Sequence, residues 1–428
     1  MRLAYRIWGL AALFYLFDFF QRVAPASLAF DLSREIASTA LALGTLSSAY
    51  FLTYAGCQLP AGLLVDRFGA RRMLCVAALG GAFGAGVFAL SPALQQALLG
   101  RLILGATGAV AWIALLKLAS DWFAPEEFAG VTGLSLAVGA VGAVLAGYPL
   151  NALSQAIGWR PALLISASTA IGLAGLFWWL LVDRPPSREP TDSNRPSPPP
   201  QGSSAPNPAP LAPLSALPWR ALIILGLGQM GVTGSMAALA WLWSVPYLKT
   251  AFGLSASAAT LLASCAMVFF ALGGIVFGRW SDRIQERRRP MLLGTGGVLL
   301  MLLVLGSEAL AESLSGSVAC LWLMGLSAGS MVLSFAAAKD LSRGQHTGAV
   351  VAFMNLCVMT GSIGLPPLFG LVLDAQWGGQ LQDGARVYPS SAFAMAFLGL
   401  AAWIGLTLLF QLACKDRLVL EKSGRDLK

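Results

Sequence analysis

Long apolar segments separated by short polar loops run through the whole chain. Twelve of them approach or exceed twenty residues, enough for a helix rising ~1.5 Å per residue to cross a hydrocarbon layer of ~30 Å. The pattern therefore predicts an all-α polytopic membrane protein with twelve membrane-spanning helices. The predicted spans are residues 6–29, 41–64, 73–90, 95–118, 129–150, 161–182, 220–248, 257–279, 291–309, 317–337, 348–372 and 391–413.

The composition changes abruptly between the sixth and seventh spans. Residues 183–218 contain twelve of the chain's 23 prolines, together with many serines. Such a segment can neither continue a helix nor bury a core, so it predicts a disordered or polyproline-like linker. The expected organisation is an N-terminal six-helix bundle at 1–182, the linker at 183–218, a C-terminal six-helix bundle at 219–414 and a tail at 415–428.

Charge is scarce and unevenly placed. Only 11% of the residues are charged, against about 25% in soluble proteins. With the N-terminus inside, 22 of the 28 Lys and Arg residues lie in inside loops, the linker or the tail. Basic residues stay on the cytoplasmic side, so both termini and the linker are predicted to be cytoplasmic in a bacterial-type inner membrane. Membrane topology thus explains the net charge of +8 without a nucleic-acid partner.

The chemistry of an enzyme or metal protein is not evident. The six cysteines form no CxxC pair, and His346 is the single histidine. The sequence therefore predicts no disulfide framework, no metal site, no cofactor and no catalytic residue.

The loop after the second span contains the most informative motif. Residues 62–72 read GLLVDRFGARR, and a partial copy, GRWSDR, occurs at 278–283. The first segment resembles the G-x-L-x-D-R-x-G-x-R-R signature of the major facilitator superfamily, with Ala70 where a basic residue is common. The N-terminal half is also similar to bacterial organic-anion symporters and phagosomal nutrient importers. The resemblance implies two pseudo-symmetric six-helix bundles that rock about a central site.

The resemblance also implies a gate. Gly62 and Gly69 are expected to permit close helix approach and a tight turn. Asp66 is expected to face the positive N-terminal end of span 11, near Gly348, and so to stabilise the outward-open state. For Arg71 and Arg72 the alternative is that they only satisfy the positive-inside rule. For Arg101 the alternative is a structural tie between span 4 and a neighbouring span. The predicted gating residues are Gly62, Asp66, Arg67, Gly69, Arg71, Arg72, Arg101, Gly278, Asp282 and Arg283.

Two charges lie inside the first span. Asp18 is near its middle and Arg22 is one helical turn further on. A charge at the bilayer centre costs about 2.5–3.5 kcal/mol on insertion scales, so these residues should face a cavity or each other. Arg22 is the candidate for holding an anionic group, and Asp18 the candidate proton carrier. The alternative is an internal ion pair with a structural role.

Polar side chains recur in the spans that line the cavity in this superfamily. The predicted substrate-binding residues are Arg22, Asp18, Tyr15, Gln21, Tyr54, Gln58, Trp112, Gln229, Thr233 and Asn355. Gly108 departs from the organic-anion symporters, which often have a glutamate there. Trp241 and Trp243 are expected to be membrane-interface anchors. Glu308 and Asp374, near outer helix ends, are expected to be solvated.

These observations predict a monomeric secondary transporter with the bilayer, a small solute and H⁺ as its partners. The solute is expected to be anionic or zwitterionic and to cross by alternating access, with proton-coupled import as the leading hypothesis. Two alternatives stay open: a drug or metabolite efflux permease, and a membrane sensor that kept the fold but lost transport.

Overall fold

The computed structural model describes residues 2–183, 215, 217–307, 313–342, 346–382 and 384–413. Nearly all of the predicted linker, the predicted tail and Glu308 lie outside this part of the chain. The helices are α1 (Arg2–Ser27), α2 (Ala29–Glu35), α3 (Ala40–Phe68), α4 (Ala70–Ala89), α5 (Leu94–Trp122), α6 (Pro125–Leu145), α7 (Tyr148–Ile157), α8 (Trp159–Leu180), α9 (Trp219–Ala238), α10 (Ser244–Phe252), α11 (Ala256–Ile284), α12 (Arg288–Leu305), α13 (Leu314–Ala328), α14 (Val332–Leu341), α15 (Thr347–Ala375) and α16 (Ser390–Ala413).

Three of the predicted spans are interrupted helices. Span 5 is α6 followed by α7, with Gly147 and Pro149 at the break. Span 7 is α9 and α10, joined by a π-helical turn at Leu239–Trp243, and span 10 is α13 and α14, joined by a 3₁₀ turn at Gly329–Met331. A π-helical turn inside a helix is rare and frequently marks a functional site.

The chain is an all-α polytopic membrane protein. In the described residues eleven helical stretches are long and apolar enough to cross a membrane, and the bent pair α2 and α3 makes a twelfth. The strands β1 (Leu381–Gln382) and β2 (Ala385–Arg386) form a small hairpin between α15 and α16. The predicted fold class is confirmed, and this count agrees with the twelve predicted spans when the bent pair is taken as one span.

The helices pack as two groups that meet along a few seams. Within α1–α8 the closest neighbours are α3 with α5, α4 with α5 and α8, and α1 with α6; within α9–α16 they are α9 with α15, α11 with α13, and α12 with α13 and α16. The groups meet where α3 lies against α15, where α6 and α7 lie against α11, and where α1 lies against the π-helical turn. We call the end of the molecule where α1 begins and α16 ends the terminal face, and the opposite end the far face.

The seam between α3 and α15 depends on glycine and proline. A Cβ at Gly44 would come within 2.6 Å of the Pro366 carbonyl oxygen, so only glycine allows this approach. Pro366 has no N–H, which leaves the Ser362 carbonyl without its helical donor. The Ser48 hydroxyl donates to that carbonyl across the seam at 3.4 Å.

Candidate functional site

An ion pair is buried in the middle of α1. Arg22 Nη2 lies 2.7 Å from Asp18 Oδ2, and the two residues are 6% and 2% exposed. The Tyr50 hydroxyl on α3 donates to Asp18 Oδ1, and Arg22 Nε donates to the Tyr50 oxygen at 3.3 Å. Two neighbouring helices thus hold the acid and the base in one closed network, which we call the Asp18–Arg22 site.

Aromatic rings surround the guanidinium of Arg22. Its Cζ lies 4.4 Å from the centre of the Tyr54 ring and 4.5 Å from that of Phe19. The ring of Tyr15 packs against that of Phe19, and the ring of Trp112 packs against that of Tyr15, with the centres of the last two rings 5.0 Å apart. Such rings stabilise a buried cation without a second carboxylate. The predicted binding residues Tyr15, Tyr54 and Trp112 therefore do lie at this site.

The glycine of α5 opposite the ion pair gives the network its space. A Cβ at Gly108 would overlap Asp18 Oδ1 and the Tyr50 hydroxyl. The position where the similar symporters often have a glutamate is thus filled by the Asp18 carboxylate, which comes from α1.

A third charge is buried nearby. Arg101 on α5 is fully buried and donates to the backbone carbonyls of Gln21 at 2.6 Å and Leu46 at 3.2 Å. Its Cζ lies 5.0 Å from the centre of the Tyr50 ring. Arg101 therefore ties α5 to α1 and α3. Together with Asp18 and Arg22 it gives this buried region one excess positive charge.

Two predicted binding residues take part in contacts of their own. Gln21 turns away from Arg22 and donates to the Ser166 hydroxyl of α8 at 3.1 Å. Asn355 donates to Gln58 Oε1 at 2.5 Å, which joins α15 to α3. The predicted binding residue Gln21 therefore does not join the Asp18–Arg22 site, because adjacent residues on a helix point about 100° apart.

The second half contributes few polar groups to this region. Gln229 accepts from the Ser334 hydroxyl at 2.6 Å, and its Nε2 is buried without a partner. The Thr233 hydroxyl donates to the Gln229 carbonyl within α9 at 2.6 Å. The residues of this half that pack against the aromatic cluster of the first half are apolar: Trp241, Phe335, Val358, Met359 and Ile363.

The two tryptophans of the π-helical turn pack against other helices, with Trp243 buried and Trp241 half-buried, which corrects their assignment as interface anchors. Trp243 is buried, and its Nε1 donates to the Pro366 carbonyl at 3.2 Å. Trp241 stacks on Phe51 across the seam, with ring centres 5.4 Å apart. Sequence pattern alone missed this contact, because Phe51 belongs to the other half.

The motif loop is not latched to α15. Asp66 pairs with Lys117 of α5 at 2.7 Å, and the Asp66 side chain is 71% exposed. A Cβ at Gly62 would meet nothing within 4 Å. The expected contact of Asp66 with the start of span 11, and the expected close helix approach at Gly62, are therefore both absent from this conformation of the described residues.

The glycine that ends the loop does form the expected turn. Gly69 has φ +85°, and a Cβ there would come within 2.5 Å of the Asp183 carboxylate. That carboxylate accepts from the Arg71 N–H at 2.7 Å and so caps α4. Arg71 also donates to the Trp178 carbonyl. Arg71 therefore fastens the loop to the end of α8, while the Arg72 side chain is exposed.

The partial copy of the motif forms its own network. Arg287 bridges Asp282 at 2.6 Å and Asp340 at 3.5 Å, which links the α11–α12 loop to α14. The hydrogen bond to Asp282 raises the pKa of Arg287 above its ordinary value. A Cβ at Gly278 would meet nothing within 4 Å, and Arg283 is exposed. In the described residues no group of three or more His, Cys, Asp or Glu is placed to hold a metal ion.

The correction at Asp374 is the largest. This residue was expected to be solvated, yet its side chain is only 16% exposed. It accepts from the backbone N–H groups of Ala40 and Leu41 at 3.0 and 2.8 Å. Asp374 thus closes the far face by capping a helix of the other half.

The fold and the buried charges define a polytopic membrane protein of the transporter class. The chain belongs to the Major Facilitator Superfamily, whose family model matches residues 7–244 and 225–417. The predicted family is confirmed, and the protein is a transporter rather than an enzyme.

Known relatives agree with this assignment. The probable L-galactonate transporter of Escherichia coli (strain K12) is 29% identical over 266 residues, which cover 58% of this chain and 55% of that protein. The hexuronate transporter of Bacillus subtilis (strain 168) is 21% identical over 368 residues, covering 83% and 85%. The match to the first relative thus spans little more than half of its length.

A solved structure supports the fold. A bacterial homologue of the human lysosomal transporter Spinster, in an inward-facing and unoccupied conformation, has a TM-score of 0.77 at 17% identity and covers 96% of both chains.

Proposed function

We propose that this protein imports a small organic anion together with a proton, by alternating access across a bacterial inner membrane. The observation that carries the proposal is the excess positive charge formed by Asp18, Arg22 and Arg101. A buried charge without a counter-ion is costly, so a solute carboxylate at Arg22 compensates it.

Asp18 then couples the solute to the proton. While it is paired with Arg22 and Tyr50, its carboxylate accepts two hydrogen bonds, which favour the ionised form. A solute carboxylate that engages Arg22 competes for these donors. Asp18 is then buried without its full set of partners, which favours its neutral, protonated form. Solute and proton therefore bind together and leave together.

The relatives' names agree with this chemistry. Galactonate and hexuronates, the solutes in the names of the two relatives above, are both small organic acids. The excess of basic residues in the loops of the terminal face supports a cytoplasmic location for that face. A conformation with the far face closed then corresponds to the state that is open to the cytoplasm. We expect the protein to work as a monomer.

Binding to the purified protein tests the solute class. We expect carboxylates such as galactonate and glucuronate to raise the melting temperature, and neutral sugars and nucleosides to have no effect. Arg22→Gln should abolish the shift, and Arg34→Gln, at an exposed arginine, should preserve it. A shift with neutral solutes alone would overturn the anion proposal and favour efflux of an uncharged compound.

Uptake into proteoliposomes tests transport itself. An inward pH gradient should drive accumulation of the bound carboxylate, and a protonophore should stop it. Binding without any uptake would instead support the sensor hypothesis.

A further inference from the structure

The far face is closed by a helix cap that crosses between the two halves. Asp374 lies at the end of α15, and its two carboxylate oxygens accept from the Ala40 and Leu41 N–H groups at the start of α3. The Thr39 hydroxyl accepts from the third N–H group, that of Ala42, at 3.0 Å. The first three amides of α3 are thus all satisfied, and two of them by a residue 333 or 334 positions away.

Two further side chains hold the Asp374 carboxylate in place. The Tyr388 hydroxyl donates to it at 2.7 Å and itself accepts from the Ala40 N–H at 2.9 Å. Arg386 Nη1 lies 3.2 Å from Asp374 Oδ1, and its guanidinium stacks on Trp377, with Cζ 3.9 Å from the ring centre. Burial and the hydrogen bond to Asp374 raise the pKa of Tyr388 above its ordinary value, so the phenol keeps its proton.

The cap is part of a larger contact between the halves. The β1–β2 hairpin that presents Arg386 lies against α2 of the first half. A Cβ at Gly370, one turn before Asp374, would overlap the Ala40 carbonyl oxygen. The start of α3 therefore packs against α15, the hairpin and Tyr388. This contact must break whenever the far face opens.

The arrangement mirrors the motif at the other end of the same helix pair. α3 and α15 run antiparallel and each has 29 residues. Each has an aspartate near its C-terminal end, but only Asp374 contacts the N-terminus of the other helix. Asp374 is engaged in this way at the far face, whereas Asp66 at the terminal face is turned towards Lys117. The contact between an aspartate and the N-terminus of the other helix is thus formed at the far face and not at the terminal face.

We infer that Asp374 is the latch of the far face: its cap on α3 holds that face shut, and its release is a required step of the transport cycle. This inference rests on the proposed alternating access. It assigns Tyr388 and Arg386 as positioning residues, which orient the carboxylate. A negative charge at a helix N-terminus and two charge-assisted hydrogen bonds together favour the closed far face.

Spin-label distances measure the latch without solute or proton gradient. The first pair of label sites is Gln95 and Ser315, which are exposed at the far-face starts of α5 and α13. The second pair is Asp121 and Lys339, which are exposed near the terminal-face ends of α5 and α14. The labels are placed in full-length protein whose native cysteines are replaced and whose melting temperature matches the parent's. We expect Asp374→Asn to increase the long-distance population of the first pair at least twofold and to shorten the second pair.

The control makes the same substitution at a far-face aspartate that does not cap a helix of the other half. Asp31 also lies at the far face, but its carboxylate accepts from Ser154 within the same half at 3.3 Å. Asp31→Asn should therefore leave both distance distributions as in the parent. Tyr388→Phe should shift both in the direction of Asp374→Asn, by less, and supplies the test if that variant does not fold.

The outcomes separate this inference from the proposed function. Unchanged distances for both pairs in Asp374→Asn, or in Tyr388→Phe if that variant replaces it, would overturn the latch. So would a change confined to the far-face pair, because it would mean local loosening of a cap without closure of the terminal face. Distances that change as expected while the parent takes up no carboxylate would support the latch and refute the proposed solute.

Discussion

The Asp18 carboxylate lies in the space that a side chain at Gly108 would occupy. A Cβ on that glycine would overlap both Asp18 Oδ1 and the Tyr50 hydroxyl bound to it. The acid that we propose to bind the proton thus comes from α1 and reaches towards α5. Any side chain on α5 at this position must push the carboxylate away from Tyr50 or Arg22.

Gly108→Ala should therefore damage the site while leaving the fold intact. We expect loss of the carboxylate-induced melting shift, and a melting temperature lowered by a few degrees, because about 1 kcal/mol corresponds to roughly 2–4 °C in a domain of about 150–250 residues. Gly56→Ala on α3 is the control, since a Cβ there would meet nothing within 4 Å. Equal ligand shifts in both variants would show that the site tolerates the extra carbon.

Arg22 should be irreplaceable as the anion ligand, even by lysine. Its guanidinium donates to Asp18 and Tyr50 while lying between aromatic rings, and an ammonium group offers neither the planar fork nor the stacking surface. We expect about tenfold weaker carboxylate binding for Arg22→Lys, equivalent to ~1.4 kcal/mol, and no measurable binding for Arg22→Gln. Isothermal titration measures both, and parent-like affinity in Arg22→Lys would argue against bidentate recognition.

Asp18→Asn should separate solute movement from the proton. The amide keeps the shape and an acceptor for Tyr50, but it cannot gain or release a proton. We expect pH-driven accumulation in proteoliposomes to fall to background while exchange of labelled for unlabelled solute continues. Asp121→Asn, at an exposed position, should behave as the parent. Undiminished accumulation in Asp18→Asn would remove this residue from the coupling role.

Arg101 should be a structural residue before anything else. It donates to carbonyls of α1 and α3, and lysine cannot reach them in the same geometry. Leaving one such buried acceptor unpaired costs about 1–3 kcal/mol. We expect Arg101→Lys to lower the melting temperature by several degrees and Arg67→Lys, at an exposed arginine, to have no effect. An unchanged melting temperature in Arg101→Lys would mean that its charge matters more than its hydrogen bonds.

The elements that depend on local sequence could be predicted. Apolar segments of sufficient length fix the spans, and the spacing of four between Asp18 and Arg22 fixes their pairing on one helix. The turn at Gly69 was also accessible, because a signature loop of this kind needs a residue that accepts positive φ.

The features missed by the sequence are those in which distant segments meet. Asn355 and Gln58 lie 297 positions apart, and their hydrogen bond depends on the register of α15 against α3. The contact of Asp374 with Ala40 depends on the same register. The contact of Trp241 with Phe51 depends on how the π-helical turn packs against α3. Nothing in the neighbourhood of Asp374 along the chain indicates that its partner is the start of another helix.

The close seam between α15 and α3 gives a last prediction, independent of charge. A Cβ at Gly370 would overlap the Ala40 carbonyl oxygen, whereas a Cβ at Gly364 on the same helix would meet nothing within 4 Å. Gly370→Ala should therefore wedge the far face apart and expose the first turn of α3. We expect amide hydrogen exchange of residues 40–46 to rise severalfold in Gly370→Ala and to remain unchanged in Gly364→Ala. Equal exchange in the two variants would mean that α15 shifts to accommodate the methyl group, and that the seam does not depend on glycine.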